Sequence, residues 1–129
     1  MREILFRGKA STKWVYGDLR HLNDGRVAVR KDGEIYPYEV IPETVGQYTG
    51  LKDKNGKKIF EGDVVEAYDD TYVNGFAEVK GKVFFNCGSF DIDVEDVGYI
   101  PLYSYGTENI EVIDNIHGGI NDSKNSEKD

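Results

Sequence analysis

Alternation with a period of two is the feature that most restricts what this chain folds into. Phe90-Asp91-Ile92-Asp93-Val94-Glu95 switches between apolar and acidic at every step. In a strand this spacing puts Phe90, Ile92 and Val94 on one face and three carboxylates on the other. Arg26-Val27-Ala28-Val29-Arg30 reads the same way. So does the run from Ala77 to Phe85, where Gly81 inside the pattern predicts a bulge or a sharp bend.

The punctuation between these runs belongs to hairpins. Asp24-Gly25, Asp32-Gly33, Asn55-Gly56 and Asn74-Gly75 pair a residue that tolerates positive φ with one that favours it. Ile35-Tyr36-Pro37-Tyr38-Glu39-Val40 contains a proline, which has no N–H for a ladder, so it is expected on a sheet edge or in an extended connection. Asn109 to Ile116 has room for two helical turns, but its β-branched content favours a strand. The expected fold class is mainly β with little helix, and 15 glycines with 12% aromatic residues agree with it. Beyond residue 118 the composition turns polar, and residues 119–129 are expected to be a disordered tail.

A chain of 129 residues buries roughly two-thirds of its unfolded surface, enough for one domain or two very small ones without disulfides or metals. Cys87 is the single cysteine; it cannot close an intrachain bridge and is expected to be a small buried apolar residue near a turn. The apolar run at the N-terminus is too short for a signal peptide, and no segment approaches the roughly 20 apolar residues of a membrane span. A cytoplasmic protein without membrane contact is the expectation.

Net charge is −8, unevenly spread. Lys and Arg outnumber Asp and Glu by 12 to 8 over residues 1–60 and are outnumbered 4 to 16 over residues 61–129. Such asymmetry marks either solvated surface or opposed binding faces. Phosphate binding needs clustered cations, which an acidic chain supplies poorly. One internal echo stands out: Lys13-Trp14-Val15-Tyr16-Gly17-Asp18-Leu19 against Lys58-Ile59-Phe60-Glu61-Gly62-Asp63-Val64. It reads as either a duplicated strand-turn-strand unit or a chance repeat of a common turn.

The block from Thr44 to Val65, Thr-Val-Gly-Gln-Tyr-Thr-Gly-Leu-Lys-Asp-Lys-Asn-Gly-Lys-Lys-Ile-Phe-Glu-Gly-Asp-Val-Val, closely resembles the signature of the YopX family of phage and prophage proteins. Arg2 to Arg7, Lys13 to Gly17, and Glu111 to Ile116 resemble the same family's opening and close. The resemblance implies a small strand-rich N-terminal part over residues 1–57 and an SH3-type β-barrel over 58–118, the barrel proper beginning near Gly62. Gly118-Gly119-Ile120 departs from the family's short acidic, proline-containing finish. The family carries no established activity, so the resemblance transfers no catalytic residue and no cofactor.

The residues agree. His21 and His117 form no local motif with Cys87 that would build a nucleophile and its base, and zinc lacks closely spaced ligands. Gly50 to Lys58 misses the phosphate-loop spacing by one residue and has Lys58 where a magnesium-binding hydroxyl belongs. Asp63, Glu78 and Lys80 imitate the acidic pair and lysine of magnesium nucleases, and Asp91, Asp93 and Glu95 are carboxylates on one strand face, most simply a solvated one. Nine tyrosines exceed what a small core buries with satisfied hydroxyls. Tyr36, Tyr38 and Tyr48, with the basic stretch Lys52, Lys54, Lys57 and Lys58, are the candidate interaction surface. The expected function is a non-catalytic protein-interaction module, binding a protein partner or a second copy. The alternatives are a nucleic-acid-binding or DNA-mimicking barrel and, more remotely, a magnesium-dependent nuclease.

Overall fold

A computed structural model describes residues 3–68 and 78–117 of the chain. Ten strands, all paired antiparallel, and two short 3-10 turns make up its regular structure, so the mainly-β expectation holds. No helix among the described residues is long and apolar enough to cross a membrane. The turns at Asp24-Gly25, Asp32-Gly33 and Asn55-Gly56 form with each glycine at positive φ. Asn74-Gly75 and the expected tail lie outside the described residues, apart from the tail's neighbour His117.

The chain divides into two compact units. The first comprises residues 3–48 and His117; the second is Thr49–Ile116. The expected boundary at residue 57 differs because the Asp53-to-Lys57 hairpin is tied to the second unit by backbone and carboxylate contacts to Ile110 and Val112.

In the first unit, β1 (Phe6–Ala10), β2 (Lys13–His21), β3 (Val27–Arg30) and β4 (Tyr38–Lys52) pair in order, and β4 returns to β1. The four ladders therefore close a ring. Closure depends on a shift in β4: Arg7 faces Gly46 while Lys9 faces Ile41. Thr44 satisfies the backbone in the gap, its hydroxyl accepting from Lys9 N at 2.8 Å and donating to Ile41 O at 2.6 Å. Val15, Val29 and Val40 form the enclosed cluster, flanked by Ala10, Leu19, Val27 and Val45. Ile35 and Tyr36 lie in a bend of the β3–β4 connection, and from Tyr38 to Val40 the segment pairs with β3.

β5 (Lys58–Phe60) continues the first sheet beside β4. The second unit's own sheet has the order β10-β6-β7-β8-β9. β6 (Asp63–Tyr68), β7 (Glu78–Asn86), β8 (Ser89–Val94) and β9 (Gly98–Pro101) form a meander; 3-10 turns at Leu102–Ser104 and Thr107–Asn109 then lead into β10 (Ile110–Asn115), which lies against β6. No ladder joins β9 to β10 among the described residues, so the unit is described as a five-stranded sheet rather than a closed barrel. Ile59, Val65, Val83, Ile92, Leu102 and Ile110 are the largest of its fully buried apolar side chains. β6 alternates cleanly between buried and half-exposed positions, whereas β10 breaks step after Val112, where the register shifts and Asn115 turns inward.

Two local expectations need correction, and the alternative left open for the echo is decided. Gly81 makes no bulge: it stays in register between Val65 and Val94, and a Cβ there would stand 2.1 Å from Asp93 O. The glycine serves a close backbone approach instead. Cys87 is exposed, not buried; with Gly88 it forms a two-residue hairpin at φ 51° and 90°, the pair of positive angles a type I′ turn requires. The echo is no structural repeat. Gly17 lies inside β2 with Arg30 O 2.0 Å from its missing Cβ, while Gly62 sits in a turn at φ 92°.

Candidate interaction site

The acidic side chains of the central block are occupied with holding the backbone. Asp53 accepts from Asn55 N and Lys57 N through Oδ1, both at 2.9 Å, and from Val112 N through Oδ2 at 3.0 Å. One carboxylate thereby shapes the hairpin and anchors it to β10. Asp63 is 0% exposed; its Oδ2 accepts from Phe60 N at 2.8 Å and its Oδ1 from Asn115 Nδ2 at 3.2 Å. Buried carboxylates persist when such donors surround them, because an unpartnered buried charge is costly.

The magnesium-nuclease set is not brought together. Glu78 pairs with Tyr68, five residues along β6 from Asp63 or about 16 Å at the rise of an extended strand, and Lys80 pairs with Glu66, three residues or about 10 Å from it. Asp91 is buried, receiving Ser89 Oγ at 2.7 Å and Asn86 Nδ2 at 3.1 Å, so it does not share a solvated face with exposed Glu95. Among the described residues no group of three or more His, Cys, Asp or Glu is placed to hold a metal ion.

The expected surface residues separate. Tyr48 is 4% exposed and leaves the list; burial, followed by the nearby Glu3 carboxylate, raises its phenol above the usual tyrosine range. Lys52 is exposed, Lys57 and Lys58 are half-buried, and Lys54 Nζ lies 3.3 Å from Glu111 Oε1, all on the second unit. Tyr36 and Tyr38 belong to the first.

Around Tyr36 the structure displays apolar surface. Ile35 and Tyr36 are 81% and 80% exposed, next to each other in the β3–β4 connection. The loop is propped from within: Arg30 Nη1 donates to Glu34 O at 2.9 Å, and Tyr38 OH donates to Glu34 Oε1 at 2.8 Å. That carboxylate raises the Tyr38 phenol above its ordinary value. Lys31 Nζ stands 3.9 Å from Glu34 Oε2 and 5.5 Å from the Tyr38 ring centre. Pro37 restricts the backbone just beyond the pair. Two large apolar side chains are thus presented on a fixed support.

The second unit offers an apolar pocket of about 250 Å³, walled by Leu51, Phe90, Leu102 and Tyr103, with Thr49 and Ser89 at its edge. Phe85, itself exposed, packs edge-on against Phe90 with ring centres 5.1 Å apart. The wall comes from three separate segments, the end of β4, the β7–β8 hairpin and the 3-10 turn after Pro101. Only Tyr103 was visible beforehand, within the tyrosine surplus. Elsewhere on this unit Glu66, Glu78, Glu108 and Glu111 surround Lys54 in a smaller groove of about 180 Å³.

Charge separates along the same division. Residues 49–116 hold 6 Lys/Arg and 14 Asp/Glu; the rest of the chain holds 10 of each, so the net −8 falls entirely within 49–116. Within the first unit Arg7 is buried over the face of Trp14, its guanidinium carbon 4.7 Å from the ring centre, and Lys9 Nζ donates to His117 O at 3.3 Å. Burial first, then Arg7 and Lys9, hold the His117 imidazole below the usual histidine range.

A search of curated proteins finds no match. A family model described as YopX protein matches residues 5–119, nearly the whole chain and including the Asp53 and Asp63 clasps and both apolar features described above. The chain belongs to the YopX family.

Proposed function

We propose that this chain is a non-catalytic protein-interaction module of a phage or prophage, working in the host cytoplasm. The observation that carries the proposal is the Ile35–Tyr36 pair, about four-fifths exposed on an internally braced loop. Large apolar side chains held rigidly in water are what a partner protein's interface uses as anchors, since little freedom is lost on docking. The apolar pocket of the second unit supports the same role, because aromatic walls of this kind receive anchors. The carboxylates best suited to chemistry are spent on backbone donors, which favours binding over catalysis.

The test is affinity capture from infected cells with the wild-type chain, Tyr36→Asp and Tyr103→Asp, each checked for folding by circular dichroism. A partner retained by the wild type and lost from either variant is expected. An identical set of bound proteins from all three would contradict the proposal.

Nucleic-acid binding is the second reading, favoured by four lysines within the seven residues from Lys52 to Lys58. The −8 charge of residues 49–116 and the pairing of Lys54 with Glu111 work against it. Salt-sensitive DNA binding lost in Lys52→Glu would favour this reading, and absence of any shift at low salt would remove it. The acidic excess makes the DNA-mimicking variant, in which the partner is itself a DNA-binding protein, a special case of protein interaction.

A further inference from the structure

We propose that the apolar pocket of the second unit receives a tyrosine side chain of the partner protein. The proposal rests on the interaction-module reading and names the group that the partner brings. Two observations carry it, the size and lining of the pocket and the state of two hydroxyls in its wall.

A volume of about 250 Å³ lies below the roughly 300–1,000 Å³ of small-molecule sites and suits one large side chain. Leu51, Phe90, Leu102 and Tyr103 offer that side chain apolar and aromatic surface. An aromatic ring gains most from such a wall, because edge-to-face contacts add to its burial.

The hydroxyls narrow the choice. Thr49 lines the pocket and is 6% exposed. Its Oγ1 accepts from Leu51 N at 3.2 Å, while its hydrogen meets no acceptor among the described residues. Leaving a buried donor unsatisfied is costly, so an occupant that accepts from Thr49 is favoured over one that does not. Ser89 is in the opposite state. Its Oγ gives its hydrogen to Asp91 Oδ1 at 2.7 Å, which leaves its lone pairs able to accept. One donor and one acceptor therefore stand in an otherwise apolar wall.

A matching side chain has an apolar body and a tip that both accepts and donates. A phenol does both through one oxygen. Phenylalanine and leucine fill the space but leave the Thr49 hydrogen without an acceptor. The tryptophan indole, lysine and arginine only donate. A carboxylate only accepts, and it enters a unit already at −8. Neutral imidazole does both, but it offers the wall little apolar surface.

The test uses p-cresol, which is the tyrosine side chain as a free molecule, and toluene, which is the same body without the hydroxyl. In amide NMR titrations of the full chain, p-cresol is expected to shift Ser89, Phe90, Leu102 and Tyr103. It should bind about tenfold more tightly than toluene, as one to two net hydrogen bonds allow. Thr49→Val keeps the outline of the side chain, and it should bring p-cresol down to toluene while toluene binds as before. The ratio in the wild type stands whether or not that variant folds. When the partner is captured from infected cells, p-cresol should release it and toluene at the same concentration should not. Equal binding of the two probes, no shift at these amides, or a partner that stays bound while p-cresol fills the pocket overturns the proposal. If the captured partner is nevertheless lost from Tyr103→Asp, the tyrosine assignment alone fails and the interaction-module reading stands. If capture is unaffected by both Tyr36→Asp and Tyr103→Asp, both fail.

Discussion

The two units solve the same problem, a small β core, in different ways. The first closes four strands into a ring around three valines and carries no net charge. The second orders five strands without a β9–β10 ladder among the described residues, fully buries Ile92, Leu102 and Ile110, and holds all of the −8. They share one device. In each, a nine-residue strand passes from one partner to the next near a glycine, Gly17 in β2 and Gly81 in β7, with a neighbour's carbonyl where a Cβ would stand. A ring leaves no free edge to protect, while an open order must finish its ends with turns, hairpins and carboxylate clasps. The comparison teaches that the family block at 44–65 serves both units: Thr44 completes the ring of one, and Asp53 and Asp63 fasten the other.

That comparison can be broken by substitution. Asp63→Ala leaves Phe60 N and the Asn115 amide without a buried acceptor and should cost about 3 kcal/mol, read as a lower urea midpoint for the second unit. An unchanged midpoint would remove the clasp. Gly17→Ala and Gly81→Ala each force a methyl against a backbone carbonyl and should cost about 2 kcal/mol, one in each unit. Amide exchange resolves which unit responds, and a loss in only one would break the parallel. Asp53→Asn keeps acceptance through one oxygen but cannot accept on both sides, for a loss of about 1.5 kcal/mol in thermal melts.

The smallest effect is a pH dependence confined to the first unit. His117 has its folded-state pKa lowered by burial, Arg7 and Lys9, so the unfolded chain binds the proton more readily. The stability it lends is complete above the unfolded value of about 6.5 and is lost as pH falls through the lower folded value. His117→Gln should flatten the slope of stability against pH between neutrality and mild acid. A slope unaltered by the substitution assigns the dependence to other groups.

What was legible beforehand is what sequence neighbours decide. The β8 strand and the three described Asx-Gly turns depend on residues within a few positions of each other, and both form. Burial of Asp91 nonetheless breaks the alternation expected in β8. The role of Asp63 depends on Asn115, 52 residues away, and that of Asp53 on Val112, 59 away, so neither clasp is written in its own neighbourhood. Cys87 misled because its residue type favours burial while its place in a two-residue hairpin dictates exposure. The surplus of tyrosines pointed correctly to exposed Tyr36 and Tyr103, but buried Tyr48 looks no different in sequence. The pocket needed three segments to meet, which only the strand order supplies.

Hydrogen exchange of the full chain, alone and with the partner captured from infected cells, tests the central claim most directly. The loop and pocket account predicts slowing at residues 34–38, at Ser89 and Phe90, and at Leu102 and Tyr103, with the amides clasped by Asp53 and Asp63 unchanged. Slowing confined to the acidic groove of Glu66, Glu78, Glu108 and Glu111, or none when the partner is added, would contradict it.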